Sequence, residues 1–138
     1  MALIKSHDTG PEIYIRKLLF AKGYRFRVNY RPVSGIPDLY FTKKKVAIFI
    51  HGCFWHRHAG CQYAYMPKSN IQFWQNKFNS NLNRDQIVKL DLVVKRIRCL
   101  IIWECTIKKM QKNNEVEMAI LSDMVRFIDC DQSVYLKI

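Results

Sequence analysis

From Gly52 to Pro67 the chain carries two of its four histidines, two of its five cysteines and four aromatic residues, yet shows neither helical nor strand periodicity. A segment so rich in ligating side chains and so poor in pattern has to be ordered by something other than a hydrophobic core. Cys53-x4-His58-x2-Cys61, closed in space by Cys105, offers three thiolates and an imidazole, the donor set of a closed tetrahedral zinc site. A closed site leaves no coordination position free, so the ion would be structural, with apparent binding free energy on the order of 10 kcal/mol available to order the loop. His56 competes with His58 for the imidazole position. Cys99 and Cys130 lie in apolar segments and read as core residues, although spacing alone leaves either open as a substitute for Cys105.

Around this loop the pattern is regular. Thr9-Gly10-Pro11-Glu12 has the form of a capping box, and Ile15, Leu18, Leu19 and Lys22 continue at helical spacing to Gly23. Tyr24, Phe26, Val28 and Tyr30 then alternate with Arg25, Arg27 and Asn29, predicting a strand with one basic face. Asp38 to Thr42 and Val46 to His51 flank Lys43-Lys44-Lys45 and predict an antiparallel hairpin. A second capping box at Ser69 to Gln72 opens a helix from about Asn70 to Ile97, with its asparagines as possible points of interruption. Cys99 to Trp103 suits a buried strand, Val116 to Ile128 a last helix, and Ser133 to Leu136 a terminal strand. Strands alternate with helices, so the expectation is a single α/β domain over residues 1–138, with a mixed central sheet flanked by helices.

Charge narrows the function. Lys and Arg number 23 against 11 Asp and Glu, a net +12 that points to a polyanionic partner. With 13% aromatic residues and 49% apolar residues the charge sits on a folded surface rather than a disordered tail. No stretch approaches the roughly 20 apolar residues of a membrane span, and Met1 to Pro11 lacks the apolar core of a signal peptide. The expectation is a soluble cytoplasmic protein with no membrane partner. Five cysteines, an odd number, fit metal binding or burial better than a disulfide framework.

Gly35-Ile36-Pro37-Asp38 leads into a strand whose hairpin partner ends at Ile50-His51, bringing a carboxylate near a backbone carbonyl and an imidazole. Phosphodiester hydrolysis needs a hard cation held by oxygen donors, an activated water and a proton donor for the leaving oxygen. Asp38, Glu12, His51 and His56 can supply those parts. A three-residue tip would pair Thr42 with Val46 and Asp38 with Ile50, placing His51 on the opposite face from Asp38 unless a bulge or a longer turn intervenes. Taken singly, the same residues could end a turn, complete a cap or sit hydrogen-bonded in a core.

The run His51-Gly52-Cys53-Phe54-Trp55-His56-Arg57-His58 with Cys61 resembles the very short patch repair (Vsr) mismatch endonucleases. The resemblance extends through Asp8-Thr9 with Glu12, Gly35-x-Pro37-Asp38, Ile48-Phe49, Tyr65-x-Pro67, Phe73-Trp74, Asn81-x-x-Arg84-Asp85 and Trp103-Glu104-Cys105, roughly residues 8 to 108. It implies a restriction-endonuclease-like fold related to the PD-(D/E)xK enzymes, in which Phe49-Ile50-His51 replaces the acidic-x-lysine element. It implies magnesium held by Asp38 and the Ile50 carbonyl, Glu12 positioning hydrated metal, and general acid-base chemistry by His56 with His51 assisting. Cys53, His58, Cys61 and Cys105 would bind the structural zinc, and Phe54, Trp55 and Trp74 would form an aromatic wedge entering the base stack. Two departures stand out. Only eight residues precede Thr9, short for the basic arm of the family, and Ile50 occupies a position often held by Thr.

The activity so implied is a magnesium-dependent nick 5′ of the T in a T:G mismatch left by deamination of 5-methylcytosine. Its substrate would be double-stranded DNA carrying the mismatch, the enzyme would act as a monomer, and its functional neighbours would be a cytosine-5 DNA methyltransferase and a repair polymerase. A nicking or restriction-type endonuclease without mismatch specificity is the alternative enzyme. A zinc-stabilised DNA-binding module without catalysis is the alternative of another class, and it leaves Asp38, Glu12 and His56 unexplained.

Overall fold

A computed structural model describes residues 9–130 and 132–138. Asp8 and the short arm before Thr9 lie outside the described residues. Helix α1 (Gly10–Ala21) begins at Thr9 with Pro11 in its first turn, but the Thr9 side chain makes no capping bond. Glu12 is buried and pairs with Arg16 one turn on, at 3.4 Å.

The strand expected over residues 24–30 shortens to β1 (Arg27–Val28). Asn29 takes a left-handed backbone (φ 45°), which ends regular pairing, while Tyr24 and Phe26 turn their rings onto Phe41. The hairpin is present as β2 (Leu39–Phe41) and β3 (Val46–His51), with Phe41 opposite Val46 and Leu39 opposite Ile48. Its tip is therefore four residues, Thr42 to Lys45, and Lys45 reverses the chain at φ 54°. Continued one step, this register sets Asp38 opposite Phe49 rather than Ile50. Because side chains alternate with period two, the extra turn residue puts Asp38 on the same face as Phe49 and His51. The longer turn is the solution to the register problem.

Helix α2 (Ile71–Val94) runs 24 residues without a break at its asparagines. It starts from Asn70 in a left-handed conformation, not from a Ser69 capping box. Strand β4 (Arg98–Trp103) pairs parallel to β3 and is followed at once by α3 (Glu104–Lys112), a helix not foreseen because only Ile107 and Met110 are buried in its otherwise polar sequence. Helix α4 (Asn114–Asp129) starts two residues before its expected position, with the Asn113 side chain accepting from the Glu115 and Val116 amides. Strand β5 (Tyr135–Lys137) pairs parallel to β4, shifted slightly toward the C-terminus from the expected range.

The sheet order is β1-β2-β3-β4-β5, antiparallel on one side and parallel on the other. One face packs on α1, α3 and α4 through Ile15, Leu19, Ile48, Leu100, Ile107, Met124 and Phe127. The other face, with Tyr40, Ala47, Phe49, Cys99 and Ile101, packs on Leu92 and Val88 of α2. Gly35 explains its place in the Gly-x-Pro-Asp run: it has φ 79°, and a Cβ there would lie 2.7 Å from a Val88 methyl. Only glycine lets α2 settle over the chain leading to Asp38. Cys99 is buried as expected, whereas Cys130 is exposed, since it caps the C-terminus of α4 and falls past the helix's buried face. Among the described residues no helix is long and apolar enough to cross a membrane.

Candidate active site and metal centre

Between the Asp38 edge of the sheet and α2 lies a cleft of about 530 Å³ lined by Glu12, Asp38, Ile50, His51, His56 and Asp85. β3 delivers Ile50 and His51, the following loop His56, α1 Glu12, and α2 Asp85. The Ile50 amide donates to one Asp38 carboxylate oxygen at 2.7 Å. Burial nonetheless dominates, and with the Glu12 carboxylate nearby it pushes the Asp38 pKa up to about 7. A carboxyl reluctant to ionise beside a second carboxylate is stabilised as an anion by a cation, so the acidic donor set fits a hard divalent ion.

His51 is 8% exposed, and burial together with the neighbouring His56 lowers its pKa to about 3. It is a neutral imidazole near pH 7. His56 stacks on it with ring centroids 3.8 Å apart and planes 6° from parallel. The Nδ1 of His56 lies 2.7 Å from an Asp85 carboxylate oxygen. An acceptor-only carboxylate places the proton on Nδ1, which leaves Nε2 free to accept a proton. His51, His56 and Asp85 also bring ligating atoms within 4.8 Å of one another.

Asp85 is the participant that residue-by-residue reading missed. The resemblance carried it as part of a motif without a role. The usable signal was helical spacing: Asn81, Asp85 and Val88 share one face of α2 and reach the same cleft.

The loop after β3 coils through successive turns, with the His56, His58 and Cys61 amides donating to the Gly52, Cys53 and His58 carbonyls. It brings Cys53, His58, Cys61 and Cys105 together, their ligating atoms within 4.8 Å of one another. Cys105 Sγ and His58 Nδ1 are 3.4 Å apart. His56, turned toward Asp85, is not in this group. Burial raises the Cys53 thiol to about 12. At Cys61 slight burial is outweighed by the Tyr63 and Ala64 amides and the neighbouring thiols, and its pKa is lowered. Three crowded thiols and an imidazole are the soft donor set a zinc-like ion takes, and they fit such an ion.

Arg57, assigned no part by the sequence reading, stitches the same loop. Its guanidinium donates to the Phe54 and Tyr65 carbonyls at 3.1 Å and to the Ala64 carbonyl at 2.9 Å, and lies 3.9 Å over the Phe78 ring. Asn81 adds a bond to the Trp55 carbonyl at 3.1 Å. Between them, Phe54, Trp55 and Trp74 form one aromatic cluster, with centroids 5.2 to 5.8 Å apart. Trp55 is 38% exposed, and the Phe73 ring next to Trp74 is exposed as well. Phe54 and Trp74 are part-buried and rest on the buried Phe78 ring, so the cluster is anchored at its base and open to solvent at Trp55 and Phe73.

The family model described as DNA mismatch endonuclease Vsr matches residues 1–62. The type II nicking enzyme V.XorIIP of Xanthomonas oryzae pv. oryzae is 36% identical over 110 residues, 80% of this chain and 80% of its own. The type II nicking enzyme V.NmeAIP of Neisseria meningitidis is 40% identical over 108 residues, covering 78% and 76% of the two chains. The DNA mismatch endonuclease Vsr of Escherichia coli is 35% identical over 112 residues, covering 81% and 71%. Likeness of this extent, carried on a restriction-endonuclease-like α/β sheet, makes the chain a DNA endonuclease and a member of the Vsr family.

Proposed function

We propose that the protein nicks one strand of duplex DNA 5′ of the T in a T:G mismatch. The observation that supports this most is the His56–Asp85 pair, 2.7 Å apart, opening onto the same cleft as buried Asp38. Asp38 and the Ile50 carbonyl would hold magnesium, with Glu12 as a further acidic neighbour for its water. When bound, the ion would neutralise charge on the scissile phosphate and favour ionised water. His56 Nε2 takes the proton from the attacking water while Asp85 holds Nδ1 and stabilises the imidazolium that forms, and the departing sugar oxygen takes its proton from solvent water in the cleft. His51, neutral and stacked, fixes the plane of His56 and so assists without exchanging a proton near pH 7. Cys53, His58, Cys61 and Cys105 would hold a structural zinc that keeps the His56 loop in place.

Mismatch preference would come from Phe54, Trp55 and Trp74. A wobble pair is easier to unstack than a matched pair, and aromatic faces inserted beside it recover part of the few kcal/mol spent. The reading also makes the monomer the active form and links its action to a cytosine methyltransferase and a repair polymerase. Two of the relatives above bear the name type II nicking enzyme, which favours a second reading, a nicking enzyme indifferent to mismatch. End-labelled duplexes that differ only in T:G or T:A at one site decide between them. A single nick confined to the T:G duplex, lost in Asp38→Ala, is the expected result. Equal nicking of both duplexes would select the second reading.

A further inference from the structure

The two candidate centres are joined by rings. Trp103, on β4, is the register partner of His51 on β3. Its indole stacks on His58 with centroids 4.1 Å apart and planes 7° from parallel. Its edge meets His51 at 5.4 Å and 72°. His51 in turn stacks on His56 at 3.8 Å. The rings of His58, Trp103, His51 and His56 thus form one contiguous column, running from the thiolate cluster to the Asp85 carboxylate. Trp103 is only 6% exposed and His51 8%, so the two middle rings of the column have little freedom to tilt.

We propose that Trp103 is a positioning residue: a metal held by Cys53, His58, Cys61 and Cys105 fixes the His58 ring, and Trp103 passes that setting to His51 and through it to His56. The proposal rests on the reading of His56 as the group that accepts a proton from water. The physical case is steric. Close-packed flat rings transmit orientation because each removes the room its neighbour would need to rotate. Catalytic geometry tolerates about 0.5 Å of looseness, and a displacement near 1 Å costs about 100-fold in rate. A residue touching neither DNA nor reacting atoms can therefore govern the step.

The test compares zinc-loaded wild type, Trp103→Phe and Trp103→Leu at one pH. Three quantities are read: the single-turnover cleavage rate, duplex affinity and the imidazole nitrogen signals of His56. Phenylalanine keeps a flat face, and the rate should stay within about threefold; leucine fills space without one, and the rate should fall about 10- to 100-fold with affinity nearly constant and His56 signals displaced. Should Trp103→Leu not fold, His58→Cys asks the same question, since it keeps four soft donors for zinc while removing the ring against Trp103. It should show the same loss of rate and the same displaced signals. Wild-type rate and unmoved His56 signals in the leucine variant, or in His58→Cys, would overturn the coupling. Displaced signals combined with a fully active His56→Ala enzyme would uphold the coupling and overturn the role given to His56 in hydrolysis.

Discussion

His56 Nδ1 and the Asp85 carboxylate sit 2.7 Å apart, one from an irregular loop and the other from the middle of a 24-residue helix. Removing a general base costs typically 100- to 10,000-fold in rate. His56→Ala is expected to lose activity in that range under single-turnover conditions, with duplex affinity retained. Asp85→Asn should come close to it, because an amide can donate to Nδ1 and favour the wrong tautomer. An Asp85→Asn enzyme with wild-type rate would remove the pair from the chemistry.

The Asp38 pKa is about 7 in the folded protein against an ordinary 3.8, with burial as the main cause. Between these values the folded chain holds a proton the unfolded chain has released, so folding stability falls as pH rises from about 4 to about 7. Below that window the contribution is fully present; above it, lost. In magnesium-free buffer the melting temperature of wild type should decline across the window relative to Asp38→Asn, and added magnesium should narrow the gap near neutral pH. Parallel profiles for the two proteins would mean that Asp38 titrates normally.

Loss of the thiolate site should be felt beyond the loop. Cys61→Ser or Cys105→Ser is expected to release bound zinc, measurable by a colorimetric chelator, and to lower the melting temperature by several degrees. Cleavage should fail in step with metal loss. Cys130→Ser, at an exposed position off the cluster, should change neither metal content nor melting.

The aromatic cluster makes a prediction about selectivity. Trp55→Ala and Trp74→Ala should lower the ratio of T:G to matched cleavage by about tenfold, a loss of roughly 1 to 2 kcal/mol of the recovered stacking. Measured rates on both duplexes give the ratio directly. An unchanged ratio would assign these rings to packing.

Gly35→Ala carries two penalties at once, a left-handed backbone at φ 79° and a new methyl 2.7 Å from Val88. The expected outcome is destabilisation by about 1 kcal/mol or more together with reduced cleavage, because the clash would push α2, and Asp85 with it, away from the sheet. Chemical denaturation and a cleavage assay report the two effects separately.

Local pattern made much of this legible. The hairpin follows from β-branched runs around three lysines, and three of the four cluster residues from their short spacing within one loop, with Cys105 supplied from α3. What stayed hidden depended on a single residue or on distant contacts. One additional turn residue decided whether Asp38 and His51 share a face, and no propensity distinguishes a three-residue tip from a four-residue one here. Helix α3 was invisible because two buried side chains suffice once β4 and α4 flank it. Asp85 stood in a helix whose apolar residues point both inward and outward, so its facing toward the cleft emerged only with α2 seated on the sheet.

The order of strands has a bearing on when the enzyme can first act. Asp38, His51 and His56 come from one early stretch, but Asp85 follows nearly thirty residues after His56, and Trp103 and Cys105 arrive only with the parallel strand beyond. A growing chain that has not yet reached α2 lacks the carboxylate proposed to orient His56. On the proposed reading, the cleft gains its His56–Asp85 pair only once α2 has been made, and the metal cluster closes only with Cys105.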